Sequence, residues 1–121
     1  MAKKHPIFIE LSGVSDASGD LTLKSKPLDP GDLLCIQRVS VLNNDTASCV
    51  AKVGVEVSGR QSWLESVTMT TAGLVYAPVK EPVWVLSDYQ LVVVFSSAGN
   101  KKTCYAWGYG YLEERESSRS P

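Results

Sequence analysis

Apolar residues in this 121-residue chain recur at every second position or in short runs, and turn-forming residues separate them throughout. That period suits strands with one wet face, and a chain built from it must cover one sheet with another. The pattern predicts strands over Ile7 to Leu11, Leu21 to Ser25, Leu33 to Leu42, Cys49 to Val57, Trp63 to Thr70, Leu74 to Val79, Val83 to Leu86, Tyr89 to Phe95 and Thr103 to Leu112. Between them lie Ser12-Gly13, Ser18-Gly19-Asp20, Asp29-Pro30-Gly31-Asp32, Asn43-Asn44-Asp45, Ser58-Gly59, Ala72-Gly73, Ser87-Asp88 and Ala98-Gly99-Asn100. Each supplies residues that accept positive φ or preset a turn. A single helical turn has room only around Arg60 to Glu65, where Gln61-Ser62-Trp63-Leu64-Glu65 shows no clear strand alternation. The expected fold is all-β: a two-sheet antiparallel β-sandwich of jelly-roll or Greek-key type with about eight strands and flexible termini. A small barrel is the alternative.

One strand shows plain alternation and two depart from it. Val53, Val55 and Val57 alternate with Lys52, Gly54 and Glu56, as a one-sided strand should. In Leu33 to Leu42 the apolar set moves from Leu34 and Ile36 to Val39 and Val41, so the face flips unless a residue is bulged out at Gln37-Arg38. Leu91 to Phe95 is apolar on both faces, so its second face, carrying Val92 and Val94, needs a cover from a loop, the chain termini or another subunit.

The last strand sets Tyr105, Trp107, Tyr109 and Tyr111 on one face and Cys104, Ala106, Gly108 and Gly110 on the other. Alternate glycines call for close approach of another backbone or a large side chain, and Trp63 or Trp84 from the facing sheet are candidates to fill that side. The rings either cover the sheet as ordinary strand formers or serve as a contact surface for a protein, a sugar ring or a base. The candidate interface residues are therefore Tyr105, Trp107, Tyr109, Tyr111, Val92 and Val94.

Composition narrows the classes of function. Lys and Arg total 12 against 13 for Asp and Glu, a formal net charge of -1, and no basic block tracks a phosphate backbone, so nucleic-acid binding is not expected. No apolar run reaches the roughly 18 residues of a spanning helix, and no signal-peptide core follows the first residues, so a cytosolic site of synthesis and no membrane partner are expected. The three cysteines, Cys35, Cys49 and Cys104, are odd in number and widely spaced, which favours free, partly buried thiols over a disulfide framework.

No constellation for chemistry assembles from the sequence. His5 is the only imidazole and stands before Pro6 near the chain start, a poor seat for an oriented general base. Ala98-Gly99-Asn100-Lys101-Lys102-Thr103 lacks the first glycine of a phosphate loop and leads into a strand, so it reads as a hairpin tip. Asp29, Asp32 and Asp45 occupy turns, where Asp shapes the backbone, and one histidine without a Cys-x-x-Cys pair does not make a zinc site. A non-enzymatic protein without a cofactor is expected.

The organisation expected is a flexible arm over residues 1-6, a single sandwich domain over 7-112 and a charged, serine-rich tail over 113-121. The short first strand, Pro30-Gly31-Asp32 opening a long strand, the central valine-rich strand, Ser87-Asp88-Tyr89-Gln90-Leu91-Val92-Val93-Val94-Phe95, the polar turn after it and Tyr105-Ala106-Trp107-Gly108-Tyr109 together resemble the small β-sandwich virion proteins of tailed bacteriophages. The resemblance spans most of the chain as a pattern of strands and turns. It implies a structural role, foremost that of a capsid decoration or cement protein in a virion assembled in the host cytoplasm. Its partners would be copies of itself, a trimer among the forms, and a major capsid or other virion protein. The alternative, from the same aromatic row, is a carbohydrate- or receptor-binding module with a glycan as partner.

Overall fold

In the computed structural model, residues 2–43, 48–79, 81–86 and 88–115 are described, with side chains from Lys4 to Glu113. The elements are β1 (Ala2–Val14), β2 (Leu21–Lys24), β3 (Leu33–Asn43), β4 (Cys49–Val57), β5 (Arg60–Met69), β6 (Tyr76–Val79), β7 (Val83–Val85), β8 (Gln90–Ser96) and β9 (Thr103–Arg115). They form two antiparallel sheets, one ordered β1-β9-β3-β6 with β7 also on β3, the other ordered β2-β8-β4-β5. The pairings are nested: β1 with β9, β2 with β8, β3 with β6 and β7, β4 with β5. The chain is thus one long hairpin folded back and forth between two layers, which is the jelly-roll arrangement. Its tip is Ser58-Gly59, where φ is 51° and 78°, the pair of positive values that a two-residue type I′ turn needs.

The core lies between the sheets. Ile36, Val39 and Val41 of β3, Val53 of β4, Met69 of β5, Val85 of β7, and Leu91, Val93 and Phe95 of β8 are its largest fully buried side chains. Ala106 and Cys104 of β9 complete it from the sheet that also carries β3 and β7. At one end of the roll the β1–β2 and β8–β9 connections zip together: Ser15 N donates to Lys102 O at 2.9 Å, Lys102 N to the Ser15 hydroxyl at 2.8 Å, and Ala98 N to Gly19 O at 2.9 Å. At another corner the Tyr76 hydroxyl accepts from the N–H groups of Thr70 and Thr71 at 3.0 and 3.1 Å, pinning the β5–β6 crossover.

The bulge expected in β3 is present. Pairing with β9 shifts register between Ile36 and Arg38, so Gln37 is the extra residue, and Ile36 and Val39 both enter the core. β3's opposite neighbour is interrupted at the same level, between Val79 and Val83. A second bulge, at Leu64 in β5, falls where pairing with β4 shifts between Val53 and Gly54.

Four expectations need correction. Arg60 to Glu65 is strand, because β4 supplies a continuous partner across the hairpin and the local loss of alternation is the Leu64 bulge. Residues 98–103 do not form a hairpin tip, since β8 and β9 belong to different sheets and the loop crosses between them. Ala2 to Pro6 is not a free arm but the first part of β1, paired with Arg115 to Tyr111, and Glu113 to Arg115 likewise extend β9. The turn at Asn44-Asp45, Ser87, Met1 and the tail from residue 116 lie outside the described residues. All three cysteines are buried and free, as expected.

Candidate functional site

β9 sits between β1 and β3, so the outer side of its sheet receives side chains from all three. The register sets them in rows: Ser12–Tyr105–Leu42, Glu10–Trp107–Ser40, Phe8–Tyr109–Arg38, and Pro6–Tyr111–Cys35 with Trp84 of β7 beyond. The four β9 rings thus share one face with Phe8 and Trp84. Phe8 is 62% exposed, Trp84 47% and Tyr109 38%, while Tyr105, Trp107 and Tyr111 are half-buried.

These rings are held, not loose. Tyr105 and Trp107 stack with centroids 5.8 Å apart and planes within 4°. Trp84 meets Tyr111 edge-on at 6.2 Å. Cations stand over two of the rings: Lys4 Nζ is 5.0 Å from the Tyr111 centroid and the Arg38 guanidinium 6.0 Å from that of Tyr109. Trp107 Nε1 donates to the Glu10 carboxylate at 3.2 Å, and Lys4 pairs with Glu113 at 3.6 Å. The Tyr111 phenol is pushed above its usual pKa, first by its hydrogen bond with the Cys35 thiol and then by burial. The result is a flat aromatic plate with a polar tip on almost every ring, a chemistry suited to a surface that is sometimes wet and sometimes covered.

The bulge at Gln37 is what keeps Arg38 over Tyr109. It resets the alternation of β3 so that Arg38, Ser40 and Leu42 stay on the ring face while Val39 and Val41 stay inside. The bare inner side of β9 is filled from within the roll, and neither Trp63 nor Trp84 takes part. A Cβ on Gly108 would meet the side chains of Leu91 and Ile36 at 3.4 to 3.9 Å, and one on Gly110 would strike Cys35 O and Gln37 N of the bulge. Trp84 lies on the outer plate, since its partner in the ladder is Cys35. Trp63 lies on the outer face of the other sheet, with Cε3 2.9 Å from where a Gly54 Cβ would stand.

Val92 and Val94 are not part of the plate. Val92 is fully buried without belonging to the core cluster, at the middle of the row Lys24–Val92–Gly54–Trp63 on the outer side of the second sheet. Around that row Lys24 Nζ meets Glu56 Oε2 at 2.8 Å, Gln61 Nε2 donates to Glu56 Oε1 at 2.8 Å, and Lys52 Nζ stands 5.6 Å from the Trp63 ring centroid. The second face of β8 is therefore covered by the chain itself, and Val92 is withdrawn as an interface residue. Val94 is half-buried beside Lys52.

Sequence reasoning missed Phe8 and Trp84 as members of the plate. Phe8 alternates with Ile7 and Ile9, and that parity was available; its position beside Tyr109 depends on the β1–β9 pairing, which closes the chain's two ends and has no local signal. A groove of about 590 Å³ runs beneath β1, between it and residues 24–29, with an apolar lining of Ile7, Ile9, Leu11, Leu28, Leu34 and Leu112. No group of His, Cys, Asp or Glu side chains fit to hold a metal occurs among the described residues. No protein-family model, curated protein or solved structure matches the chain.

Proposed function

We propose that this protein is a non-enzymatic structural component of a virus particle, a capsid decoration or cement subunit of a tailed bacteriophage, that binds neighbouring virion proteins through the aromatic plate. The observation that carries the reading is the plate itself: Phe8, Trp84, Tyr105, Trp107, Tyr109 and Tyr111 gathered on one exposed sheet face. Tyr, Trp and Arg are the residues that dominate binding energy in protein interfaces, and Arg38 lies among the rings. The jelly roll supports the reading, because this two-sheet architecture is one that viral capsid domains use. A flat face repeated over a symmetric shell gains occupancy through many weak contacts.

The test is occupancy on purified particles. Virions from cells that make this chain should carry it, and the double variant Trp107→Ala/Tyr109→Ala should lose at least about tenfold in occupancy while keeping its far-ultraviolet spectrum. Unchanged occupancy of the folded variant, or absence of the chain from particles, overturns the proposal. The exposed Trp84 and Tyr109 rings favour one other reading, a glycan platform. Tryptophan fluorescence that responds to one class in a glycan panel, and is lost in the same variant, would establish it instead.

A further inference from the structure

The edge of the first sheet carries an inference independent of the plate. β1 is 13 residues long, pairs only with β9, and has no second partner among the described residues. An open edge of that length is a template for another strand, and natural proteins usually blunt it. Here Lys4 and Pro6 guard the first half, but Ile7 to Val14 has only Glu10 as a charge. Ser15 N donates to Lys102 O, one pair beyond Val14↔Thr103, so the odd-numbered residues of β1 turn their backbone groups toward β9. The even-numbered residues, Lys4 to Val14, present N–H and C=O to the open side. Pro6, which has no N–H, falls in this outward set and costs the β1–β9 ladder no bond.

Side chains follow the same parity. Ile7, Ile9 and Leu11 point inward, only half-buried, against the core and over the apolar groove beneath the strand. We infer that this edge pairs with the β1 edge of a second copy, antiparallel, across a two-fold axis through Ile9. Only that register sets all three inward apolar residues against apolar partners: Ile7 opposite Leu11 of the second copy, Ile9 opposite Ile9, Leu11 opposite Ile7. An axis at residue 8 sets Leu11 against His5; one at residue 10 sets the two Glu10 carboxylates face to face and Ile7 against Gly13; one at residue 11 sets Ile9 against Gly13. With the axis at Ile9, the N–H groups of Lys4, Phe8, Glu10, Ser12 and Val14 each find a carbonyl on the other copy, and only Pro6 contributes none. Glu10 then lies opposite Phe8, and the two Phe8 rings stand on the diagonal, within reach of each other. The same pairing joins two aromatic plates into one continuous surface, since antiparallel edge pairing keeps equivalent faces on the same side.

Light scattering on the purified chain, with two kinds of variant, tests this. The native chain should weigh twice its 13.1 kDa at micromolar concentration. Ser12→Pro removes one outward N–H per copy and leaves the β1–β9 ladder intact, so it should weaken the dimer about thirtyfold while the far-ultraviolet spectrum stays unchanged. Ile9→Cys should crosslink to its counterpart on mild oxidation, because opposed residues of a non-hydrogen-bonded pair lie about 4.5 Å apart at Cα, within disulfide reach. Ile7→Cys should not. A monomeric native chain, a closed trimer, or crosslinking at residue 7 as readily as at residue 9 overturns the inference. None of these readouts involves a virion, so they stand or fall separately from the proposed function.

Discussion

Replacing Gly110 by alanine should be among the most damaging small changes in the chain, and the size of the effect follows from the β3 bulge. An alanine Cβ there would lie 1.9 Å from Cys35 O, 2.9 Å from Cys35 C and 3.1 Å from Gln37 N. All three obstacles are backbone, so no side chain can swing aside; relief needs a shift of more than about 1 Å in a strand bonded on both sides. The cost should reach at least about 3 kcal/mol, above the usual range for adding a methyl group to a packed interior. Gly108→Ala, two residues away on the same face, is the control. Its Cβ would meet only Leu91 and Ile36 side-chain carbons at 3.4 Å and beyond. There the alanine should be neutral or stabilising by up to about 1 kcal/mol, through a less flexible unfolded chain and better strand propensity. Urea unfolding followed by tryptophan fluorescence reads both; with a slope of about 1.5 kcal/mol per molar, the Gly110→Ala midpoint should fall by about 2 M. A Gly110→Ala variant within about 1 kcal/mol of the native protein would refute the close approach of the bulge. Equal losses at both positions would point to general crowding of the inner face, with the bulge playing no special part.

Two further outcomes follow from the same structure. Hydrogen bonds from Lys24, then Gln61, hold the Glu56 carboxyl below its usual range. Its folded pKa lies under its unfolded one, so the contribution is complete at neutral pH and is lost as pH falls below about 4.3 and through the folded value. Denaturation of Glu56→Gln and native protein across pH should show a gap that is constant near neutrality and closes in acid; a gap undiminished at about pH 2 would contradict the assignment. The three thiols are buried, and burial pushes that of Cys49 up. None should react with a disulfide reagent in the folded protein within minutes, and all should react on unfolding; a fast-reacting thiol in the native state would break this expectation.

What could be read from the residues was whatever is encoded locally. Alternation placed the β4 strand to its residue, Cys49–Val57, and the turn at Ser58-Gly59 supplied the tip of the roll. The Gln37 bulge was legible because the apolar parity of β3 changes in mid-strand, a mark that only an extra residue can leave if one face is to stay buried. Leu64 left no such mark, because β5 is an exposed strand on which both parities carry polar residues, and its bulge looked like a loss of strand character. The N-terminal half of β1 was hidden for a related reason. Lys3, Lys4, His5 and Pro6 are edge residues whose strand form depends on β9, over a hundred residues away in sequence. Glycine at 110 announced a close approach but not by what, and the answer was a backbone kink in the neighbouring strand rather than a tryptophan from across the core.

The two-faced strand β8 shows why a pattern of this kind can point to the wrong surface. An apolar second face invites the conclusion that another subunit covers it, yet Val92 is already at 0% exposure in the single chain. Gly54 lets the β4 backbone lie bare beside Val92, and Trp63, carried by the bulged β5, occupies the space a side chain at residue 54 would have filled. The Lys24–Glu56–Gln61 cluster lies across the same face. The Glu56 carboxylate is itself buried there and is satisfied by Lys24 and Gln61, while the Lys24 ammonium stays partly exposed. The need for a partner therefore shifts from the second sheet to the first, where, among the described residues, no comparable layer lies over the rings of Phe8 and Trp84 and the outer edge of β1 has no neighbouring strand. A face that binds and an edge that pairs are geometrically compatible, because the edge adds strands in the plane of the sheet and leaves the plate free along its normal. The same small domain can then double its ring surface without enlarging its core.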